Sequence, residues 1–291
     1  MRKVGYAAAL GFLSLLTACS QVALNLIAPC GYHVVRDLAY GTDPRQKLDL
    51  YVPDKLTGPA PVLLFFYGGG WTGGSKARYF SFGQAFASKG IITAVADYRL
   101  YPQVRYPAFV EDGARAFAWL RAHAPEHGGD PNNLFLAGHS AGAYIAVMLA
   151  ADRSYLKMAG ADPASIRGVI GISGPYDFLP LKDDELIAIF GGANRPETQP
   201  IHYIDGTRPP MLLVTGTEDT IVAPGNTSRL AARLRSIGSP VEQRIYPGIG
   251  HIGIILSLVP GLRGRTSLYG DMLEFVRSIT LRTDHQHGTA K

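Results

Sequence analysis

Runs of uninterrupted apolar residues alternate along this chain with stretches patterned for helices. Pro61-Val62-Leu63-Leu64-Phe65-Phe66-Tyr67, Leu134-Phe135-Leu136-Ala137 and Pro210 to Val214 are such runs, and Ile91 to Ala96 and residues 167–172 come close, with Thr93 and Arg167 among them; all are short and bounded by glycine, proline or polar residues. That is the pattern of strands buried on both faces of a parallel sheet. Lys47 to Val52 alternates and predicts an edge strand, and 241–246 alternates as well. Between them lie an amphipathic helix opened by Pro107 and running to about His123, a helix of small and apolar residues after 140, one over Arg229 to Ile237 and a last one over Asp271 to Leu281. This alternation predicts an α/β fold, a mostly parallel twisted sheet with helices on both faces.

Two of these strands end in glycine-rich turns. Leu134 to Ala137 runs into Gly138-His139-Ser140-Ala141-Gly142, a Gly-x-Ser-x-Gly turn that leads into a helix and holds the serine hydroxyl outward. The helix N-terminus beneath it points free N–H groups at the serine. Pro61 to Tyr67 runs into Gly68-Gly69-Gly70-Trp71-Thr72-Gly73-Gly74. Glycines there free backbone N–H groups to turn toward a ligand, and with the N–H of Ala141 those of Gly69 and Gly70 compose an oxyanion hole. No Gly-Lys-Ser/Thr follows, which excludes a nucleotide-binding P-loop.

With these motifs stand Asp97-Tyr98-Arg99-Leu100, Tyr106-Pro107-Ala108-Phe109-Val110-Glu111-Asp112 and Gly129-Asp130-Pro131-Asn132. Together, from about Tyr40 to Ile279, they resemble the α/β-hydrolase carboxylesterase/lipase family, near its hormone-sensitive-lipase-like and isoprenylcysteine methylesterase-like esterases. The resemblance implies an α/β-hydrolase fold and a triad in the chain order Ser, acid, His. Ser140 is then the nucleophile. The acid falls on Asp219, in the turn Thr215-Gly216-Thr217-Glu218-Asp219 after a buried strand, with Asp177 at the end of the preceding strand in reserve. Of His202, His251, His285 and His287, His251 follows the last strand through Pro247-Gly248-Ile249-Gly250 and is the expected base. One departure stands out: where the family has histidine before the glycine triplet, this chain has Tyr67.

The activity implied is cleavage of carboxylic esters with short to medium acyl chains, through an acyl-enzyme on Ser140. Other acyl hydrolases (an arylformamidase, a peptidase or a carbohydrate deacetylase) use the same triad, and a lipoprotein that kept the fold without the activity is a third reading. Residues 176–208, rich in proline, glycine and charge, predict a partial lid. Tyr67, Trp71, Tyr176 and Phe178 are the expected substrate-pocket residues, crowding the mouth of the site and favouring short acyl groups.

The N-terminus predicts a location. Arg2 and Lys3 precede an apolar segment from Val4 to Leu16, 13 residues and too short to span a bilayer. Leu16-Thr17-Ala18-Cys19-Ser20 then resembles a bacterial lipobox, so 1–18 is the expected signal peptide and Cys19 the lipidation site, anchoring the protein in the cell envelope. Ser20 after the cysteine, where aspartate would mark inner-membrane retention, points to the outer membrane, facing the periplasm. Residues 19–40 are expected to be a tether and lead-in, 41–282 the catalytic domain and 283–291 a polar tail. With Cys19 lipidated, Cys30, the other of the 2 cysteines, is left without a disulfide partner.

Charge changes the picture little. There are 28 Lys and Arg against 23 Asp and Glu, and two of the basic residues belong to the leader. No basic run interleaves with aromatics, which argues against nucleic acid as a partner. The scattered histidines show no metal-ligand spacing, so neither metal nor other cofactor is expected. The sequence leaves oligomeric state open.

Overall fold

The computed structural model describes residues 31–288. One eight-stranded sheet forms its centre: β1 (Tyr32–Ala39), β2 (Lys47–Pro53), β3 (Ala60–Phe66), β4 (Ile92–Ala96), β5 (Gly129–His139), β6 (Ile166–Ile172), β7 (Met211–Gly216) and β8 (Val241–Tyr246). Their order is β1-β2-β4-β3-β5-β6-β7-β8. β1 and β2 are antiparallel to their neighbours, and the strands from β4 through β3 to β8 are parallel. Side chains alternate across the sheet, so the consecutive Phe65 and Phe66 of β3 serve opposite faces. On one, Phe82 of α1 (Phe80–Ala87) stacks on Phe65 at 3.7 Å. On the other, Gly113 of α2 (Ala108–His123) fits against Phe66 and against Ile145 and Leu149 of α3 (Ala141–Ala151). All eleven residues of α3 are buried, which explains its small and apolar composition.

The remaining helices are α4 (Ser154–Met158), α5 (Asp184–Phe190), α6 (Gly225–Ser236), α7 (His251–Leu256) and α8 (Leu268–Gly288). Between β6 and β7 the chain makes α5 and two short 3-10 turns, Pro196–Thr198 and Pro200–Tyr203, over the stretch expected to be a lid.

Parallel pairing in register puts Phe66, Gly138, Gly171 and Leu213 in one row across the sheet. The loops that leave β3, β5, β6, β7 and β8 therefore emerge side by side, at the carboxyl edge where open α/β sheets gather their ligands.

Three expectations need correction. Lys47–Pro53 is not an edge strand, because Tyr32–Ala39, placed in the tether by its sequence, pairs outside it. β1 is half exposed and broken by a register shift between Val35 and Leu38, so its apolar pattern is faint. The polar Asp49 that gave β2 its alternation is itself buried, bonded to the Lys76 ammonium at 2.7 Å and to the Asp37 N–H at 2.9 Å. Finally, the last helix starts at Leu268 and continues to Gly288, into the segment expected to be a polar tail. The signal peptide and the Cys19 lipidation site lie outside the described residues.

Candidate active site

The turn between β5 and α3 is built by what its glycines lack. A Cβ on Gly138 would lie 2.2 Å from the Gly142 carbonyl oxygen, and one on Gly142 would lie 2.0 Å from that of Phe66. Only glycine lets strand and helix approach this closely. Ser140 between them has φ 55 and ψ −121, a strained conformation for a residue with a side chain. Its N–H is held by the Ile172 carbonyl at 2.9 Å, and its own carbonyl accepts the Tyr144 N–H at 3.1 Å. Its side chain stands at the head of α3, whose first N–H groups have no partner inside the helix.

The glycine loop touches this turn. A Cβ on Gly68 would lie 2.9 Å from the Ser140 Cβ. Gly69, Gly70 and Trp71 all have positive φ, at 145, 61 and 61. The loop turns on the Gly69 carbonyl, which accepts the N–H groups of Thr72 at 3.1 Å and Gly73 at 3.0 Å. The N–H groups of Gly69 and Gly70 take no part in that turn, as an oxyanion hole requires.

Asp219 and His251 meet beside it. The Asp219 side chain is buried in the loop after β7; its Oδ1 accepts the N–H groups of Ile221 at 3.1 Å and Val222 at 2.9 Å. Its Oδ2 accepts from His251 Nδ1 at 2.8 Å. A carboxylate oxygen only accepts, so Nδ1 carries the proton and Nε2 is left as a base. Burial works to raise the Asp219 pKa, but the hydrogen bond to His251, the charge of that residue and the Val222 N–H outweigh it and hold the carboxyl below its ordinary value. The loops carrying the pair are stitched together, with the Glu218 N–H on the Ile249 carbonyl at 3.0 Å.

Ser140 and His251 share no hydrogen bond in this arrangement. They are linked through His139, whose ring lies 4.8 Å from the His251 ring, centroid to centroid. His139 Nε2 is 3.1 Å from the His251 carbonyl, so it donates there. Its Nδ1 is thereby an acceptor, 3.4 Å from the Tyr79 hydroxyl. Desolvation and then the charge of His251 pull the His139 pKa down to about 3, and the ring is neutral. Asp177, the reserve acid, pairs instead with Arg229.

The expected pocket residues divide. Trp71 and Phe178 stack at 6.4 Å, joining the glycine loop to the lid, and Phe109, Tyr144 and Phe190 surround the indole. Tyr67 and Tyr176 do not line an open mouth, for both are completely buried. The Tyr176 hydroxyl turns back onto the sheet, where a Cβ on Gly171 would meet it at 2.1 Å. The Tyr67 ring lies between Tyr98 at 4.8 Å and Tyr79 at 5.8 Å, and its hydroxyl accepts from Arg45 at 2.6 Å. Burial first, then the Asp97 charge, raises its pKa, so the phenol stays protonated. Both rings are large enough to fill the layer beneath the loops, a role that sequence position at a strand end does not separate from lining a pocket. Arg45 and His139 drew no notice as site residues: Arg45 meets partners 22 to 53 residues away, and only folding joins them.

A strained serine at a strand–helix turn, a bonded Asp–His pair and a glycine loop, all at the carboxyl edge of this sheet, define an α/β-hydrolase fold. Esterase B from Lactobacillus rhamnosis shares it, with a TM-score of 0.78 at 20% identity, over 97% of this chain and 99% of that one. The chain belongs to the BD-FAE family, whose model matches residues 48–234. It is also similar to the probable isoprenylcysteine alpha-carbonyl methylesterase ICMEL1 of Arabidopsis thaliana, at 29% identity over 87% of this chain and 57% of that one. To esterase LipC of Mycobacterium tuberculosis it is 31% identical, over 74% of this chain and 59% of that one. The chain thus spans well under two thirds of the length of either relative.

Proposed function

We propose that the protein is a carboxylic ester hydrolase that works through an acyl-enzyme on Ser140. The observation that carries this reading is the bonded Asp219–His251 pair beside the strained Ser140 turn; the esterase names of its relatives support it. His251 Nε2 takes the Ser140 proton as Oγ attacks the ester carbonyl carbon. The N–H groups of Gly69, Gly70 and Ala141 receive the oxyanion, and Asp219 stabilises the imidazolium. His251 then gives the proton to the departing alcohol. Water, activated by the same nitrogen, releases the acid and restores Ser140.

The aromatic cluster of Trp71, Phe109, Tyr144, Phe178 and Phe190 fills the space beside the oxyanion loop, which favours short to medium acyl chains. Each methylene that finds room adds about 0.8 kcal/mol, so the best chain length reports the depth of the pocket. The specificity constant across nitrophenyl esters from acetate to palmitate measures it, and a maximum at palmitate refutes the short-chain reading. Ser140→Ala is expected to lower turnover by about 10⁴-fold or more in a folded protein. Retained activity in that variant removes Ser140 as nucleophile, and parallel N-formyl and peptide substrates test the other acyl hydrolases.

The location proposed is the outer membrane, by a lipid on Cys19. Mass spectrometry of the native N-terminus is expected to find an acylated cysteine there; a cleaved, unmodified terminus excludes the anchor.

A further inference from the structure

We propose that Arg45 is the positioning residue of the oxyanion loop, clasping it at both ends with the Tyr67 hydroxyl as its handle; this rests on the hydrolase reading above. Arg45 lies between β1 and β2, far in sequence from the loop. Its Nη2 donates to the Tyr67 hydroxyl at 2.6 Å, where the loop begins, and to the Gly74 carbonyl at 3.1 Å, where it ends. Its Nε donates to the Tyr98 carbonyl at 2.8 Å, just beyond β4, and the Asp97 carboxylate stands 3.8 Å from Nη2. One planar guanidinium thus ties both ends of the loop to the neighbouring strand, a task that suits its fork of fixed donors.

The handle is itself fixed. A Cβ on Gly74 would come within 2.6 Å of the Tyr67 ring, so the loop returns directly over it. The Tyr98 hydroxyl donates to the Tyr67 carbonyl at 2.8 Å. Beyond the exit, Asp97 also accepts the Lys76 N–H at 2.8 Å.

The loop needs such a clasp. Its glycines give it little stiffness, and its internal backbone bonds converge on the Gly69 carbonyl. Oxyanion donors act only when they are held within about 0.5 Å of the productive geometry, at about 2.7–3.1 Å from the oxygen on which charge develops. Tyr67 opens the loop, and its hydroxyl hands the task to a cation from another loop.

The test uses Arg45→Met, Tyr67→Phe and the double variant in the full chain. Turnover of a nitrophenyl ester is divided by the Ser140 labelled to completion with a fluorophosphonate, so misfolded protein does not count. Affinity for a trifluoromethyl ketone, which forms a tetrahedral adduct on the serine, is measured alongside. Arg45→Met is expected to lower kcat per labelled site by about 10- to 100-fold, KM to change less than about threefold, and ketone affinity to fall in step with kcat. Tyr67→Phe is expected to lose about 3- to 10-fold, and the double variant to be no worse than Arg45→Met. Turnover per labelled site within about twofold of the parent in Tyr67→Phe and Arg45→Met overturns the proposal. If Arg45→Met does not fold, Tyr67→Phe decides alone. A parent protein with neither label nor turnover overturns the hydrolase reading, and this inference with it.

Discussion

His139 makes the stability of this protein a function of pH in a way that one substitution can isolate. Its ring is wholly desolvated, faces the His251 ring, and is bonded to the His251 carbonyl and the Tyr79 hydroxyl; Asp219 is the nearby carboxylate that favours its charge. The folded-state pKa is lowered from 6.5 to about 3. Between those values the unfolded chain binds a proton that the folded chain refuses. The folded state therefore keeps its full advantage above about pH 6.5 and loses it progressively as pH falls toward 3, with a limiting slope of about 1.4 kcal/mol per pH unit. From neutrality to about pH 4.5 that amounts to about 3 kcal/mol, a large share of a typical domain's 5–15 kcal/mol. His139→Gln keeps a donor for the His251 carbonyl and has nothing to titrate. Urea unfolding of both proteins at about pH 7, 5.5 and 4.5 is the assay. The variant is expected to lose about 3 kcal/mol less than the parent across that range, while the acidic groups common to both cancel. Parallel stability curves for the two proteins refute the reasoning.

Two further outcomes follow from the site. Asp219→Asn offers His251 an amide in place of the carboxylate that fixes its tautomer, and kcat is expected to fall by about 10⁴-fold with little change in KM, as steady-state kinetics will show. Gly142→Ala drives a Cβ to 2.0 Å from the Phe66 carbonyl oxygen, backbone that cannot step aside. A loss of about 3 kcal/mol or more is expected in urea unfolding, and an unchanged midpoint contradicts the close approach.

Most of the architecture was legible because buried parallel strands advertise themselves as short apolar runs. Ile92–Ala96 and Met211–Gly216 fall on those runs, and the turn after His139 follows another of them. β1 was not legible: its half-exposed residues carry no clean period, and its partner lies beyond a loop. In the candidate site, Ser140, Asp219 and His251 could be named because the family resemblance implies their chain order and each follows a strand at the same edge of the sheet. The roles of Tyr67 and Tyr176 could not, because whether a strand-end aromatic faces substrate or fills the layer below depends on neighbours distant in sequence. Gly74 and Tyr98 decide it for Tyr67, and Gly171 for Tyr176.

The conformation of Ser140 has a consequence for any attempt to make this protein more robust. A φ of 55 with ψ at −121 costs a residue with a side chain about 1–3 kcal/mol, and glycine adopts it freely. In the mechanism proposed above the nucleophile thus sits in a conformation that glycine takes without strain, and glycine at position 140 relaxes the turn while ending that chemistry. Laboratory evolution that rewards heat resistance alone would drift toward that inert, sturdier protein. Only a screen that demands turnover in every round holds the serine in place against the pull of its own backbone.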